Sequence, residues 1–429
     1  MTAVHPKVAL GKVTRRLIPF LFILYISAYL DRINVGFAQL EMKSALHFGD
    51  VVYATGAGIF FVGYFLFEIP SNLILHRIGA RVWIARIMVT WGVISCCMMF
   101  VRTPASFYAL RFLLGLAEAG FFPGMILYLT YWFPAEERAR AVSRFMTATP
   151  LAGVIGGPLS GALLKLHGRS GLQGWQWLFL VEGIPSIILG FVTLFYLTDR
   201  PEKAHWLLPE ERESILNELR SEQERPVYTL GQALSNPAVL LLTALYFAMQ
   251  IGFYGFTMWL PLIIKGMSGM SDLLVGILSA APYILAAIGM VVVGTHSDRT
   301  GERRMHVALS CVTAAAGLGI SAVLQNPWIA LASLSLAALG LWGTLGPFWA
   351  MPTAFLSGTA AAGGIALINS VGNLGGFVGP YAMGWLKQTT GGFTVGLFTL
   401  AGSLLVAALL AVSIRKRSDD GNMTTTRLR

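Results

Sequence analysis

Cysteine and charge are both scarce in this sequence. Only 12% of its 429 residues are charged, about half the share that soluble globular chains carry, whereas 55% are hydrophobic and the mean hydropathy is +0.66. The three cysteines all lie in apolar stretches, which excludes a disulfide scaffold and leaves no zinc or thiol-redox motif. The composition therefore excludes a soluble metalloenzyme and indicates a membrane protein.

The sequence also lacks the motifs of ATP hydrolysis and of metal catalysis. It contains no phosphate-binding loop of the Walker type, and its seven histidines are scattered rather than spaced as metal ligands. The net charge of +10 arises from short basic clusters between apolar runs and not from one basic face. We therefore expect no enzyme activity, no metal site and no nucleic-acid partner.

Long apolar runs are abundant. Twelve of them are long enough to cross a hydrocarbon core, which takes about 20 residues of helix. They lack the short alternating pattern of an outer-membrane barrel, so we predict an all-α membrane protein. The first run follows four basic residues but has no convincing cleavage site, so we expect a retained span rather than a signal peptide. The runs are 17–38, 51–75, 83–101, 105–131, 145–166, 175–197, 238–263, 273–295, 305–324, 328–350, 360–384 and 393–414.

Lysine and arginine are divided unevenly between alternate loops. With both termini on one side, that side collects 22 of these residues and the other side six, which places both termini in the cytoplasm. A polar segment between the sixth and seventh runs predicts a short amphipathic helix from Leu207 to Leu219. We predict an N-terminal bundle at 1–197, a cytoplasmic linker at 198–236, a C-terminal bundle at 237–415 and a cytoplasmic tail at 416–429.

Two motifs recur at a spacing of 222 positions. One is a glycine pattern followed by proline inside a span, and the other is a loop pattern of Arg, Gly and a second Arg. Because two unrelated motifs share one displacement, they indicate a duplicated six-helix unit, with two pseudo-symmetric bundles around a central cavity. The glycine pattern stands at Gly153, Gly157 and Pro158 and at Gly375, Gly379 and Pro380, and the loop pattern at Arg77, Gly79 and Arg81 and at Arg299, Gly301 and Arg303.

These motifs resemble those of the major facilitator superfamily. The loop pattern G-x-x-x-D-R-x-G-R-R is met from Gly294 to Arg304, apart from Glu302, whereas His76 replaces its acidic residue in the first half. The resemblance covers the whole chain and implies the major facilitator fold, with twelve transmembrane helices in two bundles. We predict gating and packing roles for Arg77, Gly79, Arg81, Asp298, Arg299, Gly301, Gly153, Gly157, Pro158, Gly379 and Pro380.

Further stretches resemble one branch of that superfamily, the anion:cation symporters. They run from Tyr29 to Val35 in the first span and from Arg111 to Gly124 in the fourth. A third stretch, from Ile251 to Pro261, is similar to bacterial tartrate, sugar-acid and hydroxyaromatic-acid permeases. The branch implies proton-driven import of organic anions across the inner (plasma) membrane, with a co-transported proton and no cofactor.

Six ionisable side chains lie inside the predicted spans, all in the first half: Asp31, Arg32, Glu68, Arg111, Glu118 and Glu182. Such groups cost about 2.5–3.5 kcal/mol each, so they tend to be paired and functional. By helix rise, Arg32 and Arg111 both lie roughly 9 Å in from the outer ends of their spans, so we expect them to flank one anion. Asp31 and Glu118 are the candidate proton carriers. The alternative is that these four residues form ion pairs between the first and fourth helices, and for Glu68 and Glu182 we favour a structural role.

Neutral polar side chains within the spans are weaker candidates for substrate contacts. Tyr29 shares a helix face with Arg32, and its hydroxyl is suited to hydrogen bonding with a carboxylate. Aromatic packing is the alternative for the tyrosines, and bonds between helices are the alternative for the amides. The candidates are Tyr29, Tyr64, Gln250, Tyr254, Asn369 and Asn373.

The leading interpretation is a secondary transporter that imports a small organic anion, tartrate-like or a sugar acid, by proton symport and alternating access. An aromatic acid, such as 4-hydroxyphenylacetate or a phthalate, is the alternative substrate. A non-transporting receptor on the same fold is the alternative of a different class, for which a signalling domain or an enlarged central loop would be expected. We expect a monomer in the lipid bilayer, with a small-molecule anion as its partner.

Overall fold

The computed structural model describes residues 6–221, 236–324, 326–355 and 358–414, and within these ranges it is helical and contains no strand. Helices are expected, because a chain in lipid must satisfy its own backbone hydrogen bonds. In order, the helices are α1 (Pro6–Ala45), α2 (Asp50–Ile78), α3 (Ala80–Cys97), α4 (Pro104–Glu118), α5 (Phe121–Thr130), α6 (Ala135–Met146), α7 (Ala148–Leu164), α8 (Gly174–Tyr196), α9 (Pro209–Ser221), α10 (Pro237–Ser268), α11 (Asp272–Thr300), α12 (Arg304–Val323), α13 (Pro327–Gly343), α14 (Leu345–Phe355), α15 (Gly358–Asn373), α16 (Gly375–Thr390) and α17 (Thr394–Ser413).

The described chain contains eleven helical stretches that are long and apolar enough to span a membrane. They correspond to eleven of the twelve predicted runs. The remaining run, 360–384, is occupied by α15 and α16, two helices of 16 residues that meet at Leu374. The predicted all-helical architecture of twelve spans is therefore confirmed.

Several helix boundaries differ from the prediction, and two of them bear on the site. Helix α1 continues to Ala45, seven residues beyond the predicted end of the first run. The fourth run is not one helix, because α4 ends at Glu118 and α5 begins at Phe121. Between them Gly120 adopts φ +85° and ψ −2°, a left-handed conformation that stops a right-handed helix and favours glycine. A Cβ at Gly120 would also lie 2.3 Å from the hydroxyl oxygen of Ser71.

The helices pack as two related bundles of six. In the first half α3 packs on α8, α2 on α4, and α1 on both α7 and α8. In the second half α12 packs on α13 and α17, and α10 packs on α16 and α17. Between the halves α7 packs on α11 and α2 packs on α16. Each interface thus joins the second span of one half to the fifth span of the other, as the predicted pseudo-symmetry requires.

Glycine allows the contact between α7 and α11. A Cβ on Gly157 would lie 2.5 Å from the carbonyl oxygen of Gly276, and one on Gly276 would lie 2.4 Å from the carbonyl oxygen of Gly157. One turn earlier in α7, Gly153 lies under the ring of Tyr283. The two backbones therefore touch directly, which is the small-residue packing that membrane helices use.

Charged side chains join the halves at the end opposite the chain termini. Asp50, at the start of α2, forms an ion pair with Lys43 of α1 and accepts from Lys387 of α16 at 2.7 Å. The second half repeats only part of this cluster: Lys265 and Asp272, each 222 positions later, pair at 2.8 Å. The Asp50 cluster bridges the two bundles, whereas the Lys265–Asp272 pair lies within one.

The linker carries α9, which confirms the helix predicted there. Glu211 of α9 forms an ion pair with Lys12 of α1, and this hydrogen bond holds the pKa of Glu211 below its ordinary value. The linker helix is thereby attached to the first bundle. Residues 222–235 and 415–429 lie outside the described residues, so the predicted domain boundaries there stay predictions.

Candidate functional site

Arg32 lies at the centre of the molecule, on the side of α1 that faces the second half. Its side chain is buried, one guanidinium nitrogen pairs with Glu118 of α4, and the other donates to the hydroxyl of Tyr254 in α10 at 3.2 Å. The guanidinium also lies 5.6 Å from the ring centres of both Phe60 and Tyr64. One cation thus connects the two halves within an aromatic enclosure, where its interactions are strengthened by exclusion of water.

Glu118 reaches Arg32 from the last position of α4. The carboxyl group is 1% exposed, and the helix stops immediately after it. Breaks of this kind occur at ion and substrate sites of transporters, because they free backbone polar groups at membrane depth. Here the carbonyl of Ala117 is 3.5 Å from a guanidinium nitrogen of Arg86. Because the left-handed conformation of Gly120 follows directly after the end of α4, it sets the place of Glu118, the carboxyl partner of Arg32.

The predicted pairing of Arg32 with Arg111 around one anion is not what the structure shows. Because α1 extends to Ala45, Arg32 lies about 20 Å from that end of the helix, and Glu118 lies about 21 Å from the start of α4. Arg111 lies only about 10 Å from the start of α4. Arg32 is therefore level with Glu118, and the equal depth expected for the two arginines came from ending the first helix too early.

Arg111 is instead bonded to the backbone of α2. Its Nε donates to the carbonyl of Gly56 and one Nη to the carbonyl of Ala57, both at 3.1 Å, and the residue is 0% exposed. The guanidinium lies 4.9 Å from the ring centre of Phe60, the ring that Arg32 also contacts. This geometry joins α4 to α2, and a substrate role for Arg111 stays a prediction.

Asp31 faces away from its neighbour Arg32, into the first bundle. One carboxylate oxygen accepts from the indole of Trp91 and the hydroxyl of Ser186, both at 2.7 Å, and the other accepts from the hydroxyl of Ser95 at 2.8 Å. The residue is 1% exposed. Asp31 and Glu118 therefore occupy separate environments, and only Glu118 contacts the central arginine.

The second half contributes neutral groups to the centre. Gln250 donates to the side-chain oxygen of Asn373 at 3.2 Å, and the Asn369 amide donates to Glu68 at 2.5 Å. Glu68 lies on α2, so the Asn369 bond is a further polar link between the halves, at a residue for which the sequence favoured a structural role. Tyr29 is buried, and its hydroxyl has no hydrogen-bond partner among the described residues.

The first loop motif is completed by an acid from elsewhere in the chain. A carboxylate oxygen of Asp199 accepts from the backbone N–H of Arg81 at 2.9 Å. Gly79 has φ +106°, and a Cβ there would lie 2.8 Å from the same oxygen. His76, which replaces the acid of the motif, hydrogen-bonds to the hydroxyl of Tyr131 at 2.9 Å. Asp199 therefore supplies a carboxylate beside the first loop. Arg77 is exposed at the end of α2.

The second loop motif makes its contacts within one bundle. Asp298 pairs with Arg303 at 2.5 Å, and Arg303 also donates to the hydroxyl of Ser297 at 3.0 Å. Gly301 ends α11 with φ +68°, and Arg299 is exposed on the last turn. The two loops thus use different acids, and their gating role stays a prediction.

The second glycine motif packs differently from the first. A Cβ on Gly379 would lie 2.2 Å from the carbonyl oxygen of Ile251 in the same half. Pro158 and Pro380 lie inside α7 and α16, where the missing N–H leaves a carbonyl without its usual partner. The carbonyl of Pro380 itself accepts from the indole of Trp259 at 3.1 Å. Gly379 therefore packs within the second half, whereas Gly157 of the first motif packs against the other half.

Sequence reasoning missed two parts of this site. The hydrogen-bond donors around Asp31 are indicated by the sequence only in part. Asn34 follows one turn later in α1, and its amide nitrogen is 3.4 Å from an Asp31 oxygen. The Glu68–Asn369 link has no such signal, because its two residues are 301 positions apart and meet only through the packing of α2 on α15.

Several known proteins are similar to this chain. A family model described as Major Facilitator Superfamily matches residues 21–380. A protein of Agrobacterium vitis named "Putative tartrate transporter" is 51% identical, over 97% of this chain and 93% of that protein. A "Quinolone resistance transporter" of Acinetobacter baumannii is 44% identical, over 93% of each chain. A solved bacterial homologue of the human lysosomal transporter Spinster, inward-facing and occupied, has a TM-score of 0.75 at 15% identity and covers 92% of this chain and 95% of that chain, which shows the fold alone.

Proposed function

Since the chain belongs to the Major Facilitator Superfamily, we propose that this carrier imports a small organic anion, tartrate or a sugar acid, together with a proton. The relative named for tartrate supports the substrate class. The observation that carries the proposal is the position of Arg32, which is buried between the halves and shared by Glu118 of one half and Tyr254 of the other.

Arg32 couples the anion to the proton because two carboxyl groups compete for one guanidinium. Arginine stays charged and pairs with carboxylates through parallel hydrogen bonds. When Glu118 takes up a proton, it loses its hold on Arg32, and the substrate carboxylate can replace it. Binding of the substrate in turn favours protonation of Glu118, since the two effects are reciprocal. The loaded site then holds one anion, one proton and one guanidinium.

Alternating access follows from the two bundles. With both termini in the cytoplasm of a cell whose inner membrane holds the carrier, the end joined by Asp50 and Lys387 faces outward. Release of this cluster opens the site to the outside, and its formation closes the site again. The Arg32–Tyr254 bond crosses the same interface, so it re-forms with each closure of the halves around the site.

An aromatic acid is the second candidate substrate. The rings of Phe60, Tyr64 and Tyr254 all lie close to the Arg32 guanidinium. Such an enclosure suits a ring that carries a carboxylate, because aromatic groups stack favourably on one another. A hydroxyaromatic acid would place its carboxylate on Arg32 and its ring against these side chains.

The test is proton movement in proteoliposomes on addition of tartrate, sugar acids, simple dicarboxylates and 4-hydroxyphenylacetate. We expect external alkalinisation with one class of acid, an uptake KM raised about 10–100-fold in Arg32→Lys, and loss of proton movement in Glu118→Gln. Arg102→Ala and Glu213→Gln, which alter exposed side chains, are the matched controls.

The outcomes separate the claims. Alkalinisation with 4-hydroxyphenylacetate but not with tartrate would select the aromatic alternative. Uptake of the anion without any proton movement in the parent protein would contradict symport. Proton movement that survives in Glu118→Gln would leave symport standing but would assign the proton to another carboxyl group.

A further inference from the structure

A second buried carboxyl group lies near Asp31 and is not used by the anion site. Glu182 of α8 is 4% exposed, and one of its oxygens accepts from the hydroxyl of Ser160 in α7 at 2.8 Å. One turn further along α8, Ser186 donates to Asp31 at 2.7 Å. Glu182 and Asp31 are thus attached to the same face of α8, inside the first bundle.

Asn34 fills the space between the two carboxyl groups. Its amide nitrogen lies 3.4 Å from an oxygen of Asp31, and its side chain also contacts Glu182. The second oxygen of Glu182 and the side-chain oxygen of Asn34 have no hydrogen-bond partner among the described residues. A buried carboxyl oxygen without a donor favours the protonated form of Glu182, because a bound proton removes the charge that would have no hydrogen bond there.

The surroundings of the pair carry no compensating cation in the part of the chain that the structure describes. The groups that face it are Trp91, Ser95 and Cys96 from α3, Ser160 from α7, Ser186 from α8, Ser27 and Asn34 from α1, and, at longer range, Glu118 from α4. Burial of an unpaired carboxylate costs several kcal/mol, which a bound proton removes. Asp31 accepts from one indole and two hydroxyl groups, whereas Glu182 has one hydroxyl donor and the Asn34 side chain.

We propose that Glu182 is a proton-carrying residue that exchanges its proton with Asp31 through Ser186, on a path separate from that of the anion. This inference rests on the proposed proton symport. Glu182 lies about 12 Å from the start of α8 at the outer end, and Asp31 lies about 21 Å from the end of α1 there. Glu182 is therefore the first of the two groups that a proton from outside meets.

The transfer conserves protons and charge. The Glu182 O–H bond breaks and its proton passes, through one water, to the hydroxyl oxygen of Ser186, while Ser186 gives its own proton to the Asp31 oxygen that it already contacts. Glu182 becomes the carboxylate and regains a proton from water at the outer end. Asn34 cannot relay a proton readily, and its role is to hold the two carboxyl groups at a fixed separation.

The test compares two modes of transport in proteoliposomes for Glu182→Gln. Exchange of external for internal substrate moves no net proton, whereas uptake driven by a pH gradient requires one. We expect gradient-driven uptake in Glu182→Gln to fall at least tenfold while exchange stays within about twofold of the parent. Ser186→Ala keeps both carboxyl groups and removes the relay hydroxyl, and we expect it to slow gradient-driven uptake alone. Glu213→Gln is the control.

Each outcome decides between the inference and its premise. A parent protein without proton movement would contradict the proposed symport itself. Proton movement in the parent that is unchanged in both Glu182→Gln and Ser186→Ala would leave symport standing and overturn the relay. Equal loss of exchange and of gradient-driven uptake in both variants would assign them a structural role, which also overturns the relay. If Glu182→Gln does not fold, Ser186→Ala and Glu182→Asp decide in the same two assays.

Discussion

Arg32 and Tyr254 are 222 positions apart in the chain and hydrogen-bonded to each other at 3.2 Å. The same displacement relates the two glycine motifs and the two loop motifs, so these residues occupy equivalent positions in the two halves. Equivalent residues can touch only near the pseudo-twofold axis, which places Arg32 at the centre of the molecule. Duplication has thus produced a site in which one copy supplies a cation and the other a neutral hydroxyl.

The hydroxyl of Tyr254 is expected to contribute to anion binding by holding the Arg32 guanidinium toward the second half. Tyr254→Phe removes this hydrogen bond and keeps the ring. Hydrogen bonds to charged groups contribute about 1.5–3 kcal/mol, so we expect the KM for uptake to rise about tenfold with a smaller change in kcat. Initial rates of uptake over a range of substrate concentrations measure both constants.

Tyr283→Phe is the matched control, because this buried tyrosine packs on Gly153 and Trp342 rather than on Arg32. Its KM is expected to match that of the parent. A Tyr254→Phe variant with an unchanged KM would show that the bond seen between the halves is not made in the substrate-binding state.

Arg111 is expected to matter more for stability than for binding. Lysine lacks the fork of donors with which the guanidinium bonds the carbonyls of Gly56 and Ala57 together, so the buried cation loses at least one of its two hydrogen bonds. Such a loss costs about 1–3 kcal/mol, which corresponds to a fall in Tm of roughly 1–3 °C for a chain of this length. Thermal unfolding of Arg111→Lys in detergent, followed by size-exclusion chromatography, measures it.

Arg32→Lys provides the contrast, since we expect a raised KM with a smaller fall in Tm. The opposite result for Arg111→Lys, an unchanged Tm together with lost binding, would restore the interpretation in which both arginines hold the anion.

Asp50 is expected to control how often the outer end opens. Asp50→Asn keeps the size of the side chain but removes the charge that Lys43 and Lys387 share. A partly buried pair of this kind contributes about 1–3 kcal/mol, between the values of exposed and buried pairs. We expect a shift of about tenfold toward the outward-open form, measured as a lower yield of cross-linking between cysteines placed at Val51 and Gln388, which now contact each other.

Asp272→Asn is the internal control, because the Lys265–Asp272 pair occupies the equivalent position but lies within the second bundle. It should leave the cross-linking yield unchanged. If the two variants lower the yield equally, the effect comes from the charge of the outer surface and not from a contact between the halves.

The fold was predictable because it depends on properties that short windows of sequence carry. Span length can be read from one segment at a time and the 222-residue repeat from two such segments compared, and together they specify two related bundles. The same reasoning selected Arg32, Asp31 and Glu118, which the structure buries, since charged residues inside apolar runs are conspicuous, and their roles in transport stay predictions.

The pairing of those residues was not predictable in the same way. Which face of a helix meets which neighbour depends on where the helix ends, and an error of seven residues in α1 moved Arg32 by about 10 Å relative to α4. The break after Glu118 depends on the left-handed conformation of Gly120, in a chain with 47 glycines. The Glu68–Asn369 bond requires packing between halves that no local pattern encodes.

The contact between Gly157 and Gly276 is expected to be necessary for closure of the outer end. A valine at position 157 would push its Cβ to within 2.5 Å of the Gly276 carbonyl oxygen and add two methyl groups beyond it, so α7 and α11 must separate. We expect Gly157→Val to reach the membrane in normal amounts but to retain less than about a tenth of parental uptake, and Gly157→Ala to be intermediate. Gly402→Val is the control, because a Cβ at position 402 meets no atom within 4 Å. Parental uptake in Gly157→Val would mean that transport does not pass through a state in which these two backbones touch.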